Sequence, residues 1–187
     1  MPENHHQRQK PIEFVKLEAG DEAGIAAMSS LAVGIVREHY DPIIGRAQND
    51  YMLARFQTPS AIREQLAQGY RYFFVREEGR QLGFLAFYPR ADVLYLSKFY
   101  LYQAERGKGY SRGMRDFVVR AARSAGLGAV ELNVNVNNDA VFAYEKLGFR
   151  AVRKEKTDIG NGFYMDDFVF RLELRPDRGD RTAPAEE

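Results

Sequence analysis

The sequence contains no cysteine. That excludes disulfides, thiolate-bound zinc and cysteine nucleophiles, and it suits a cytoplasmic location. An excess of one charge is also lacking: 27 Lys and Arg stand against 26 Asp and Glu, so nothing in the net charge of +1 implies nucleic acid or a membrane surface as partner. No apolar run approaches the ~20 residues that span a bilayer. The opening MPENHHQRQK has no signal-peptide core. There is no internal repeat, and no nucleotide P-loop, since G-x-x-x-x-G-K-S/T does not occur.

What is present suits one globular domain: 187 residues, 45% apolar and 13% aromatic, are enough to bury a core without staples. Residues 1–10 read as a flexible leader and 175–187 as a flexible tail, which leaves the domain at 11–174. His5 and His6 fall in the leader and read as part of an unstructured end rather than a metal site.

Between the ends the periodicity changes repeatedly. A strand is expected at 12–17. Ile25, Met28, Ala32, Ile35 and Val36 mark a helix over 21–40, and residues 39–44, with Pro42, break that pattern. Thr58-Pro59 opens a helix through 61–68. Strands at 71–76 and 82–88 flank a Glu-Glu-Gly-Arg turn, and a further strand covers 93–101. Met114, Phe117, Val118, Ala121 and Ala122 form the apolar stripe of a helix over 111–124. A short strand at 130–134, a helix at 139–146 and two strands near 151–156 and 163–173 complete an α+β domain, a mixed sheet with helices on its faces.

The stretch with most chemical content is Arg106-Gly107-Lys108-Gly109-Tyr110-Ser111, between a strand and a helix. Glycines let the backbone turn its N–H groups into one concavity. The following helix adds unpaired amides and the positive end of its dipole. Arg106 and Lys108 add charge-assisted donors, so the segment reads as a diphosphate cradle. About thirty residues on comes Asn137-Asn138-Asp139-Ala140-Val141-Phe142-Ala143-Tyr144, in which an asparagine caps a short helix and Tyr144 lies one turn after Ala140 on the same face.

Together the two stretches resemble the GNAT superfamily of N-acetyltransferases, whose signature is Q/R-x-x-G-x-G/A followed by N-x-x-A-x-x-x-Y-x-x-x-G-F. Arg106, Gly109, Asn137, Ala140, Tyr144, Gly148 and Phe149 fall on its positions, and Ser111 stands where the family has glycine or alanine. The resemblance implies a central mixed, mostly antiparallel sheet of about seven strands, splayed between strands 4 and 5 and flanked by about four helices. It implies acetyl-CoA as co-substrate, with no metal. The pantetheine arm would bond backbone groups of Phe99 and Leu101, and the diphosphate would meet Arg106 to Ser111. Asn135, Asn137 and Asn138 compete for the asparagine contact, with Asn137 favoured by its distance from Tyr144. By the same resemblance Tyr144 stabilises or protonates the leaving thiolate.

The acceptor is harder to read. Strict alternation puts Val93, Tyr95, Ser97 and Phe99 on one strand face, none of them a base, and Lys98 is an isolated charge that either snorkels from the sheet edge or meets substrate. Tyr40, Asp41 and Tyr72 are the candidate substrate contacts, because aromatics beside a carboxylate suit an ammonium group. Asp166 and Asp167 can add negative charge. Ordinary core aromatics and a solvated acidic pair are the alternative. Features of the 96–101 and 162–168 stretches resemble a GNAT branch that acetylates polyamines and small amines. The expectation is therefore a small-amine acetyltransferase, possible as a homodimer given its open sheet edges. A silent acyl-CoA-binding scaffold and a protein acetyltransferase are the alternatives.

Overall fold

The structure, a computed structural model, describes residues 11–174; the expected leader and tail lie outside the described residues. The element order is β1 (Glu13–Lys16), α1 (Glu22–Ile44), α2 (Arg46–Phe56), α3 (Pro59–Ala67), β2 (Arg71–Glu77), β3 (Arg80–Arg90), β4 (Val93–Leu101), α4 (Tyr110–Ser124), β5 (Ala129–Asn135), α5 (Ala140–Lys146), β6 (Arg150–Gly160) and β7 (Phe163–Glu173). The seven strands form one sheet in the order β1-β2-β3-β4-β5-β7-β6.

Each sheet face buries its own core. On one, Met114, Val118 and Ala122 of α4 pack on Leu96, Val130 and Phe170. On the other, Ile25, Met28, Ala32 and Ile35 of α1 pack on Phe74 and Phe84. Helices α1 and α3 are capped at their N-termini by side chains. Asp21 caps α1 by accepting from the Gly24 N–H at 2.8 Å, and Thr58 caps α3 by accepting from the Ala61 N–H at 3.1 Å.

One helical expectation needs correction. Pro42 does not end α1, which runs on to Ile44 and closes with the Gly45 N–H donating to the Asp41 carbonyl at 3.2 Å. Proline removes only the bond from its own nitrogen back to the preceding turn, and the closing bond of the last turn is still made. Packing holds that turn, because Ile43 and Ile44 line the two cavities described below. Five α-helices stand among the described residues, in keeping with the expected flanking set of about four. One of them, α2, buries only Asn49 and Leu53, so it carries no apolar stripe to read. Polar ties hold it instead: Asn49 Nδ2 donates to Asp41 at 2.7 Å, and the Tyr51 hydroxyl donates to the Ile159 carbonyl at 2.8 Å.

Two irregularities shape the centre of the sheet. β4 and β5 run parallel but pair only over Val93↔Ala129, Leu94↔Val130 and Tyr95↔Glu131. Beyond that β4 stays with β3 and β5 stays with β7, so the two inner edges diverge. The second is a bulge. Phe87 pairs with Leu96 and Ala86 with Lys98, which leaves Ser97 as the extra residue. The alternation therefore reverses at Ser97. Leu96, Phe99 and Leu101 belong to the α4 side, whereas Tyr100 packs on the α1 side with Phe84 and Ala86. Lys98 consequently shares the α1 face with Tyr95, and Phe99 does not, against the expectation from strict alternation.

Gly83 fixes the far end of β4. A Cβ there would collide with the Tyr100 carbonyl oxygen and lie 2.8 Å from Leu101 Cα. Both obstacles are backbone, so the strand must move. We expect Gly83→Ala to cost about 2–3 kcal/mol and to lower the melting temperature by roughly 4–12 °C in a thermal scan. An unchanged melting temperature would contradict this packing.

Candidate active site

The divergence of β4 and β5 opens a groove of about 580 Å³, lined by the 106–111 turn, α5 and the C-terminal end of α1. A smaller cavity of about 270 Å³ lies between the sheet, α1 and α2. Tyr40, Ser97, Tyr100 and Asn133 line both, so the two spaces meet at the gap between the strands.

The groove begins at the glycine-rich turn. Gly107 and Gly109 have φ of +74° and +88°, values that side chains resist. The amides of Gly107, Gly109, Tyr110 and Ser111 donate to no backbone carbonyl among the described residues. They stand at the N-terminus of α4, where unpaired N–H groups and the helix dipole favour an anion. Arg106, Gly107 and Ser111 line the groove. Arg106 Nε donates to the Leu101 carbonyl at 3.3 Å, and its guanidinium lies 3.1 Å from His39 Nδ1. Burial, followed by the Arg106 charge, holds His39 below its ordinary pKa.

Two side chains of the turn are engaged elsewhere. Lys108 pairs with Glu105 at 3.1 Å, and the Tyr110 hydroxyl donates to Glu77 at 2.9 Å. Neither lines the groove, so from these two positions the backbone, not the side chain, stands nearer an anion.

Phe99 and Leu101 line the groove along the unpaired edge of β4. Among the asparagines the roles divide. Asn138 is 4% exposed, and from one residue before the N-cap Asp139 its Oδ1 accepts from the first amide of α5, the Ala140 N–H, at 2.9 Å. Asn135 Oδ1 accepts from the Asn137 N–H at 3.0 Å. The Asn137 side chain is left exposed on the groove wall.

Tyr144 also lines the groove, its ring packed on Phe99, Phe149 and Phe170 at centroid distances of 6.0, 5.9 and 6.3 Å. Its hydroxyl bonds to no group among the described residues. Burial, then the neighbouring Tyr40, raises its pKa well above that of an ordinary phenol.

The smaller cavity revises the acceptor candidates. Tyr40 lines it, with its ring 6.3 Å from that of Tyr100. Tyr72 does not: it is 0% exposed, and its hydroxyl donates to Gln65 at 2.5 Å inside the core. Asp41 lines neither space, because Asn49 holds it in the α1–α2 junction. In their place the structure brings Lys98, Asp167, Asn133 and Tyr95 to the cavity wall. Tyr95 donates to Asn133 Oδ1 at 3.0 Å, and Asn133 Nδ2 reaches Asp167 at 3.4 Å. Asp167 is 6% exposed with no cation paired to it among the described residues, and burial raises its pKa. Lys98 is 9% exposed with no ion-pair partner among the described residues, and burial lowers its pKa to about 8. The polar alternation Glu131, Asn133, Asn135 along β5 was the available sign that this sheet face is not purely apolar.

Comparison with known proteins agrees with this geometry. Residues 42–165 match a family model described as an acetyltransferase (GNAT) domain. No curated protein matches the sequence significantly. Among solved structures, the PaiA N-acetyltransferase of Thermoplasma acidophilum in complex with coenzyme A is similar over 88% of this chain and 99% of its own, at 17% identity and a TM-score of 0.70. The YncA putative acetyltransferase of Salmonella typhimurium with acetyl-CoA is similar over 94% of this chain and 99% of its own, at 20% identity and a TM-score of 0.59. The Escherichia coli ribosomal-protein-S18-alanine N-acetyltransferase is similar over 90% of this chain and 98% of its own, at 15% identity and a TM-score of 0.60.

Proposed function

Because the chain belongs to the GNAT acetyltransferases, we propose that it transfers the acetyl group of acetyl-CoA to a small amine held in the cavity between α1, α2 and the sheet. One observation carries this reading: the groove and the smaller cavity meet at the gap between β4 and β5, so two substrates can approach from opposite sides. The diphosphate binds at the amides of the 107–111 turn with Arg106. The pantetheine arm follows the open edge of β4 at Phe99 and Leu101, with Asn137 beside it.

The chemistry is then direct attack. The amine nitrogen bonds to the thioester carbonyl carbon, the C–S bond breaks, and the sulfur leaves as thiolate. The amine gives up one proton and the sulfur gains one. An amine with a lysine-like pKa is only about 0.04% neutral at pH 7, a handicap of roughly 4–5 kcal/mol. Asp167 is the carboxylate of the cavity that lacks a cation, and it holds the ammonium and accepts its proton. Tyr144 donates a hydrogen bond to the departing sulfur.

The dimensions of the acceptor cavity support a small acceptor over a folded protein, since about 270 Å³ lies below the range of drug-sized sites. No helix among the described residues is long and apolar enough to cross a membrane, in keeping with a cytoplasmic enzyme. The sheet ends at β1 and β6, and those edges support a homodimer. Release of coenzyme A thiol over a panel of small amines tests the assignment. We expect turnover that requires both protein and acceptor. Binding of acetyl-CoA with no thiol release from any amine would point instead to a silent acyl-CoA-binding scaffold.

A further inference from the structure

A buried lysine and a buried carboxylate that line one cavity ordinarily pair, and here the pair is not made. Lys98 and Asp167 are 9% and 6% exposed, line the same cavity, and form no ion pair with each other or with any other described residue. They approach from different strands, β4 and β7, with β5 between them. The Tyr95–Asn133–Asp167 chain fixes the carboxylate on its side. The bulge at Ser97 turns Lys98 onto this face. Burying one charge without a partner is costly, and burying two opposite charges apart within one cavity costs more than letting them meet.

Such a separation is useful when the ligand spans it. Resting on the acetyltransferase reading above, we infer that the acceptor is an amino-carboxylate, an amino acid or close analogue, whose amine faces Asp167 and whose carboxylate pairs with Lys98. The cavity's size fits such a molecule, and Tyr70, Tyr88 and the Oε1 of Gln57, buried without a partner among the described residues, can supply further hydrogen bonds. A polyamine, with no anionic group, leaves Lys98 uncompensated and adds like charge. The depressed pKa of Lys98 is consistent with an ammonium that has no anion beside it in the free protein.

The test uses matched pairs of acceptors: methionine against 3-methylthiopropylamine and phenylalanine against phenethylamine, with spermidine as the polycation. Thiol release from acetyl-CoA gives kcat/KM for each. A charge-assisted bond to the carboxylate should favour the amino acid of at least one pair by about 10–100-fold over its decarboxylated partner. Lys98→Met should bring that ratio towards one, chiefly through KM of the amino acid. Asp167→Asn should instead slow both members alike. Preference for the decarboxylated amines or for spermidine overturns the inference. So does a Lys98→Met loss shared equally by both members, which would make Lys98 a proton acceptor. Acetyl-CoA binding without turnover of any amino-carboxylate overturns it while leaving the coenzyme reading intact. Failure to bind acetyl-CoA removes both.

Discussion

Tyr144→Phe is expected to lower kcat by roughly 10–100-fold while changing the dissociation constant for acetyl-CoA less than about threefold. The reasoning begins with proton affinities. An ordinary phenol already holds its proton more tightly than an alkyl thiol, ~10 against ~8.5, so full transfer to the thiolate is uphill by about 2 kcal/mol. Burial raises the Tyr144 pKa further. The phenol is thus a poor acid here and a good hydrogen-bond donor. That bond strengthens as charge accumulates on sulfur, so it acts on the transition state more than on the ground state. Loss of one hydrogen bond to a charged atom costs about 1.5–3 kcal/mol. The phenylalanine ring keeps the packing on Phe99, Phe149 and Phe170, which isolates the hydroxyl. Steady-state kinetics with calorimetric acetyl-CoA binding separates the two effects. An unchanged kcat, or equal losses in rate and affinity, would remove Tyr144 from the chemistry.

The second large effect runs in the opposite direction for stability. Lys98→Met should make the protein more stable by about 3 kcal/mol at neutral pH, raising the melting temperature by roughly 6–12 °C, while it impairs acceptor use. Burial lowers the Lys98 pKa from 10.5 to about 8. The sign follows from which state holds the proton. Below about pH 8 both folded and unfolded chains carry the ammonium, and the folded state bears the full cost of burying it. Between about 8 and 10.5 the folded lysine is neutral while the unfolded one is still charged, so the cost shrinks with rising pH. Above 10.5 it is gone. The stability gap between Lys98→Met and the parent protein should therefore be widest below pH 8 and close as pH approaches 10.5. Of the neighbouring groups on the cavity wall, the tyrosines Tyr40, Tyr95 and Tyr100 hold their protons more tightly because burial raises their pKa values, and the Asp167 carboxylate makes no ion pair with Lys98. Denaturant unfolding at pH 7 and pH 10 measures both gaps. A less stable Lys98→Met protein would mean that the ammonium has a partner in solution.

Stability surrendered at a single buried lysine is the pattern of a functional site rather than of a core. The same residue shows where sequence reading stops. The residues of the proposed coenzyme groove could be picked out together because their information is local: a glycine turn feeding a helix, then an asparagine and a tyrosine at helical spacing. Arg106, Gly107, Ser111, Asn137 and Tyr144 all line one groove. The acceptor side depends on tertiary irregularity. One extra residue at Ser97 inverts the faces of β4 beyond it, and nothing in the local pattern from 93 to 101 announces the inversion.

Other misreadings have similar causes. Tyr72 looked available because it is an aromatic with a polar tip, but Gln65 satisfies that tip within the core. Asp41 looked available beside Tyr40, yet α2, a helix with no apolar stripe, supplies Asn49 to hold it. Pro42 looked like a stop, and packing around Ile43 and Ile44 carried the helix past it. Asp167, by contrast, was visible only as one of an acidic pair. Its neighbour Asp166 meets Lys154 at 3.4 Å on the outer side, and the pleat sends Asp167 inward.

The central claim is that the opening between β4 and β5, with the 107–111 turn at its mouth, holds acetyl-CoA. Isothermal titration of the full chain with acetyl-CoA, with ATP as the competing diphosphate-bearing ligand, tests it directly. The account predicts saturable one-to-one binding of acetyl-CoA that ATP displaces only at a large excess. No heat with acetyl-CoA, or equal affinity for the two ligands, would contradict it.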